Sequence, residues 1–182
     1  MAGAGLDERA WVRGAQAGSA SDFEALFRAY WPRAYRAAYL VVHDAAAAED
    51  IAQEAFLAAV RALDRFDVRR PFGPWLHRIV VNRSIDWARA RSLRREVGAG
   101  EAIAAIPAPE RDDPAAPLSA DAVSALASLP PEQRAVIVLR YVLEYTPGEI
   151  ARMLGLPRGT VNSRLRRGLD ALQGVVGREE EP

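Results

Sequence analysis

Phe23, Leu26, Phe27, Tyr30, Ala34, Tyr35, Ala38, Tyr39 and Val42 recur at three- and four-residue intervals, which puts them on one face of a long helix. The interval returns in Ala48, Ile51, Ala52, Ala55, Phe56, Ala59, Val60 and Leu63, and again in Trp75, Leu76, Ile79 and Val80. It returns a third time in Val161, Leu165, Leu169 and Leu172. Alanine, the strongest helix former, fills many of these positions. Stretches rich in Val, Thr and Tyr are few, so an all-α chain is expected.

Punctuation divides the helices. Ser21 followed three residues later by Glu24 reads as a capping box, and Pro32 should kink or restart the helix it lies in. Asp44 can cap a second helix. Arg69 to Gly73 reads as a loop, with Pro74 at the first position of a third helix. Residues 1–18 read as a Gly- and Ala-rich tail with room for a short helix at Trp11 and Val12. Residues 98–118 carry Pro107, Pro109, Pro114 and Pro117 among alanines and acids, which reads as a solvated linker. After it, Ala120 to Leu129 and the stretch opened by Pro130 and Pro131 read as two more helices. Residues 175–182 read as a charged tail.

Formal net charge is zero, but the charge is segregated. From Asp44 to Asp67 six acids face Arg61 and Arg65, a net −4, whereas His77 to Arg95 holds six Arg against Asp86, a net +5. All 24 basic residues are Arg. With no cysteine, disulfides and thiolate metal sites are excluded. Met1 to Trp11 lacks the apolar core of a secretory signal, and no run of about 18 apolar residues exists to span a membrane. A soluble cytoplasmic protein without membrane insertion is expected.

Thr146, Pro147, Gly148 and Glu149 combine a capping box with Pro at the first helical position, and Gly155 suits the residue just past a helix end. A second amphipathic helix starts near Arg158. This is the helix-turn-helix pattern, with Ile150, Ala151 and Leu154 meeting Val161 and Leu165. Away from that seam the second helix shows Arg158, Thr160, Asn162, Ser163, Arg166 and Arg167, side chains suited to base edges and phosphates.

GEIARMLGLPRGTVNSRLRRG, from Gly148 to Gly168, resembles region 4 of bacterial sigma-70 family sigma factors, above all the extracytoplasmic-function group. LPPEQRAVIVLRY, from Leu129, resembles the opening of the same region. In the first half, DIAQEAF from Asp50 resembles the region 2.2 helix, and FGPWLHRIVVNRSIDWARAR from Phe72 resembles regions 2.3 and 2.4. The resemblance implies a sigma region 2 bundle over 19–97 and a sigma region 4 helix-turn-helix over 119–174. It implies core RNA polymerase and promoter DNA as partners, and an anti-sigma factor as a further one. Duplex reading of a −35 element would fall to the region 4 residues named above. Capture of a melted −10 element would fall to Arg78, Asn82, Arg83, Asp86 and Arg89, and polymerase docking to Asp50, Gln53 and Glu54 with Phe56 or Leu57 at their edge. Trp75 is expected in the core and Trp87 at the surface. Thr146-Pro147-Gly148, Gly168 and Asn162 depart from the usual region 4 pattern, Gly168 weakening its helix slightly.

Two other classes compete. A helix-turn-helix repressor or activator would need a dimer interface and a palindromic operator, and leaves the acidic and basic helices without a role. An enzyme would need a nucleophile–base pair, a phosphate-binding loop or a His–carboxylate cluster. His43 and His77 are isolated, so neither catalysis nor a metal or other cofactor is expected.

Overall fold

The structure is a computed structural model and describes residues 3–96, 118 and 120–176. Among these residues eight α-helices follow in order: α1 (Gly3–Gln16), α2 (Ala20–Val42), α3 (Ala45–Ala62), α4 (Phe72–Glu96), α5 (Ala120–Ala127), α6 (Pro131–Ile137), α7 (Pro147–Leu154) and α8 (Arg158–Val176). A 3-10 turn (Leu63–Arg65) closes α3, and a π-turn (Val138–Val142) extends α6. There is no strand among the described residues. The expected linker lies outside the described residues apart from Leu118.

Helices α2, α3 and α4 pack mutually into a first bundle, and α1 lies on α2. Their apolar faces follow the sequence periods: Leu26, Ala34, Ala38, Ile51, Ala55, Leu76 and Val80 are buried. Three local expectations change. Helix α2 is capped by Ser19, whose Oγ accepts from the Asp22 N–H, and not by Ser21, because Gly18 at φ 89° turns the chain there. Pro32 lies inside an unbroken α2, exposed on its solvent side while packing on both flanks holds the helix together. Helix α4 starts at Phe72, two residues ahead of Pro74.

That early start has a distant cause. The Phe72 N–H at the α4 N-terminus donates to the Glu8 carboxylate at 2.9 Å, which also accepts from the Tyr30 hydroxyl. An anion at a helix N-terminus is favoured by the helix dipole. Gln16 donates to the Leu63 and Phe66 carbonyls, each at 2.9 Å. The short helix expected near Trp11 and Val12 is thus a 14-residue helix, tied down at Glu8 and at Gln16 with Val12 buried between. Asp44 caps α3 by accepting from Ala47 N–H at 3.0 Å and also receives Arg91 of α4 at 2.8 Å. The Ala47 bond, with Arg91 beside it, holds the Asp44 carboxyl below the usual carboxylate range despite partial burial.

Helices α5 to α8 form a second bundle around Val136, Leu139, Ile150, Val161 and Leu165. Gly168 has a packing role that its helix propensity hides: a Cβ there would meet Ile137 Cδ1 at 2.6 Å, so the glycine lets α8 approach α6. The two bundles do not stand apart. Helices α5 and α6 contact α2, α6 and α7 contact α4, and the buried apolar cluster runs continuously through both.

Candidate promoter and polymerase interfaces

Thr146 caps α7 by accepting from the Glu149 N–H at 3.3 Å, and the Glu149 carboxylate returns the contact by accepting from the Thr146 N–H at 2.8 Å. The Thr146 hydroxyl, which donates to the same carboxylate at 2.6 Å, and then the Thr146 N–H hold the Glu149 carboxyl below its ordinary range. Gly155 ends α7 in the left-handed region at φ 65°, where a side chain would strain the turn. The seam between α7 and α8 differs in one member from the sequence reading: Ile150 and Met153 are buried against Val161 and Leu165, whereas Leu154 turns toward α4.

At about 100° per residue, Val161, Leu165, Gly168 and Leu172 fall within roughly 60° of arc on α8. Arg158, Asn162 and Arg166 fall within about 80° on another side, all exposed. Thr160, Ser163 and Arg167 continue that arc; Ser163 donates to the Thr160 carbonyl at 2.9 Å and receives Arg167 at 3.4 Å. The six residues read from the sequence therefore spread over about 200° of α8 outside the buried seam, with Arg158, Asn162, Arg166 and Arg167 exposed and Thr160 and Ser163 half-buried. Arg164, which the sequence reading passed over, lies on the remaining flank and points at α4.

On α4, Arg78, Asn82, Asp86 and Arg89 share one stripe within about 80° of arc. Arg78 is exposed, and Arg89 pairs with Glu132 of α6 at 2.6 Å. Arg83 sits off that stripe and is ion-paired with Glu54 of α3. Trp75 packs on Phe66 and Phe72, with ring centroids 4.6 and 5.6 Å away, as a core residue. Trp87 is half-buried, with the Arg91 guanidinium 5.0 Å over its ring.

On α3, Asp50, Gln53, Glu54 and Leu57 are exposed along one side, Leu57 by 54%. Phe56 is not on that surface: it is buried under Phe27 and Trp31, at 4.8 and 6.0 Å between ring centroids. Val60, read from the sequence as buried, is exposed and extends the Leu57 side. Its place at the margin of the helical wheel was the available signal.

Two family models match the chain in these same places, "Sigma-70 region 2" over residues 26–94 and "Sigma-70, region 4" over residues 120–172. The ECF RNA polymerase sigma factor SigW of Bacillus subtilis is 33% identical over 173 residues, which span 89% of this chain and 92% of that one. The chain belongs to the extracytoplasmic-function group of sigma-70 family sigma factors. It serves promoter-specific transcription initiation. The ECF sigma factor SigM of Mycobacterium tuberculosis is 36% identical over 162 residues, with 88% and 80% of the two chains covered. Among solved structures, CnrH in complex with the cytosolic domain of CnrY superposes with a TM-score of 0.71 at 27% identity, covering 96% of this chain and 99% of that one. The sigma factor RpoE in complex with the anti-sigma factor NepR from Bartonella quintana gives a TM-score of 0.68 at 25% identity, covering 86% and 97%. Among the described residues of this sigma factor, no helix is long and apolar enough to cross a membrane.

Proposed function

We propose that this sigma factor divides its work among the three surfaces. Arg158, Thr160, Asn162, Ser163, Arg166 and Arg167 read a duplex −35 element. Arg78, Asn82, Asp86 and Arg89, joined by Arg83, hold the melted −10 strand. Asp50, Gln53, Glu54 and Leu57 dock core polymerase, with Val60 extending the patch and Phe56 supporting it from beneath. The observation that supports this reading is the α8 arc: each of the six named side chains can donate or accept hydrogen bonds, Arg158, Asn162, Arg166 and Arg167 are exposed, and the buried seam of Val161 and Leu165 lies on another side. Guanidinium forks suit guanine edges and phosphates, and the open N-terminus of α8 adds free N–H groups.

The sigma factor acts as a non-enzymatic subunit in the cytoplasm, leaving bond formation to the polymerase. An anti-sigma factor is a further partner, a reading supported by the two structural relatives, each solved with such a protein or with a partner's cytosolic domain. Transcription in vitro from genomic fragments with core polymerase tests the assignment. Arg166→Ala should weaken use of the upstream element and Arg78→Ala opening of the downstream one. Full activity in both variants would sink the residue assignment.

A further inference from the structure

Helix α1 holds both ends of the connection between α3 and α4. At one end Gln16 donates to the Leu63 and Phe66 carbonyls, each at 2.9 Å. At the other the Glu8 carboxylate meets two donors: one oxygen accepts the Phe72 N–H at 2.9 Å and the other accepts the Tyr30 hydroxyl. Glu8 and Gln16 lie about 12 Å apart along α1 and within about 80° of each other around it. Between these anchors the connection closes on itself. Arg69 forks onto the Asp67 carboxylate with two bonds of 2.9 Å, and the Arg70 N–H donates to the Asp67 carbonyl at 2.9 Å.

Glu8 serves α4 as an N-cap supplied by another helix. The residue before α4 is Pro71, whose side chain has no acceptor, and Pro74 leaves the third position of α4 without an N–H. The Phe72 N–H is thus an end-of-helix donor with no cap from its own segment, and a carboxylate beside it is favoured by the helix dipole. Tyr30 of α2 fixes that carboxylate in turn. Burial, and then the Glu8 carboxylate, push the Tyr30 pKa well above the ordinary tyrosine value, so the hydroxyl stays a donor. The Tyr30 ring lies 5.4 Å from that of Phe72, and a Cβ at Gly73 would come within 2.8 Å of it. Three helices therefore meet at the first turn of α4. Arg78 follows Phe72 by less than two turns, about 9 Å along the axis, whereas Arg89 lies about 26 Å away. Helices fray from their ends, so a loosened α4 start displaces Arg78 and spares Arg89.

We propose that Glu8 is a positioning residue for strand capture: held by the Tyr30 hydroxyl, its carboxylate fixes the first turns of α4 and so the place where Arg78 meets the −10 strand. This rests on the assignment of the α4 stripe to DNA. Glu8 itself touches no nucleotide; it acts through Arg78. A merely structural role would lower every activity in step with the folded fraction. One lost cap removes a small part of a domain's stability, so the folded fraction stays near complete and the change is confined to α4.

The test is a double-mutant cycle in holoenzyme assembled from core polymerase and the full-length chain, read by opening of the −10 element with a fluorescent base analogue. Glu8→Ala should lower opening about fivefold, the factor that one lost N-cap corresponds to. It should leave helical circular dichroism, affinity for core polymerase and affinity for a −35 duplex unchanged. In the Glu8→Ala background Arg78→Ala should add little, whereas Arg89→Ala should act by the same factor in both backgrounds. Glu8→Gln keeps an acceptor for Phe72 and offers a donor to the Tyr30 oxygen, so it should lie close to the parent. Parental opening by Glu8→Ala while Arg78→Ala is impaired would overturn the inference and leave the α4 assignment standing. Equal factors for Arg78→Ala in the two backgrounds would do the same, as would a parallel loss of polymerase binding, −35 binding and opening in Glu8→Ala. Parental opening by Arg78→Ala would overturn the inference and the assignment together.

Discussion

Arg83 of α4 and Glu54 of α3 form an ion pair that joins the surface assigned to the −10 strand to the surface assigned to polymerase. Both partners are largely exposed, so the pair contributes little to stability, roughly 0.2–1 kcal/mol. On the proposed assignment, Glu54 and Arg83 hold each other while neither meets the partner proposed for it. Glu54→Gln should therefore release Arg83, weakening polymerase binding yet leaving the melting temperature within about 4 °C. A double-mutant cycle with Arg83→Gln, read by polymerase affinity and by open-complex formation, checks the coupling. Strictly additive effects would show that the pair carries none.

Leu57 and Phe56 are chain neighbours with opposite surroundings, one exposed and the other packed under Phe27 and Trp31. Leu57→Ser should leave the urea midpoint nearly unchanged, within about 0.5 kcal/mol, and reduce affinity for core polymerase. Phe56→Ala should destabilise the fold by about 3–5 kcal/mol. If Leu57→Ser bound polymerase at full strength, α3 would not dock through this side.

The contrast at Phe56 shows where sequence reading stops. Helical periods are local, so the bodies of α2, α3 and α4 and the α7–α8 hairpin with its Thr146–Glu149 box are legible in the sequence, while the Ser19 cap of α2 and the Phe72 start of α4 are not. At the margin of an apolar stripe the period no longer decides, and Phe56, Val60 and Leu154 all took the side their neighbours dictate. Contacts between distant residues leave no local mark. Glu8 on the Phe72 N–H turns an expected tail into part of the bundle, and Arg134 on the Val41 carbonyl joins two bundles that composition separates. Arg164 and Glu132 were passed over for the same reason, since their roles exist only once α4 stands opposite.

Both histidines resist protonation. Burial lowers His77 to about 4, with the positive charge of Arg33 adding to the effect and Tyr30, Tyr145 and the Glu8–Tyr30 pair around it. Burial also lowers His43 to about 4, helped by Arg134 and packed beside Tyr39. An unfolded histidine takes its proton near pH 6.5. Between 6.5 and 4 the unfolded chain therefore binds more protons than the folded one, and stability falls as pH falls. The stability these neutral rings confer is complete above about pH 6.5, and each withdraws up to about 1.4 kcal/mol per pH unit on the way down. Urea midpoints from pH 7.5 to 5 should drop accordingly. His43 sits in the left-handed region at φ 52°, which Asn tolerates, so His43→Asn should keep the turn and flatten the slope. An equal slope in that variant would remove His43 from the account.

Salt tests the α8 surface by a different physical route. Each phosphate that an arginine neutralises releases condensed counterions, so affinity falls with salt in proportion to the contacts made. Arg158 and Arg166 project from the exposed arc without an ion-pair partner among the described residues, and are free to meet phosphate or base. Holoenzyme affinity for a promoter duplex should fall steeply between about 50 and 200 mM salt. Replacing a phosphate-binding arginine lowers the log–log slope by about one and weakens all sequences alike, whereas replacing a base-reading one costs roughly 1–3 kcal/mol at one position and relaxes specificity there. Arg158 lies beside the backbone N–H groups that open α8, where phosphate is favoured, so Arg158→Ala should show the first pattern. Arg166 lies two turns further along the same face, and Arg166→Ala should show the second. Titrations of both variants against a promoter set with single upstream substitutions separate the outcomes. An unchanged slope in Arg158→Ala, together with unchanged sequence preference in Arg166→Ala, would remove this arc from promoter reading.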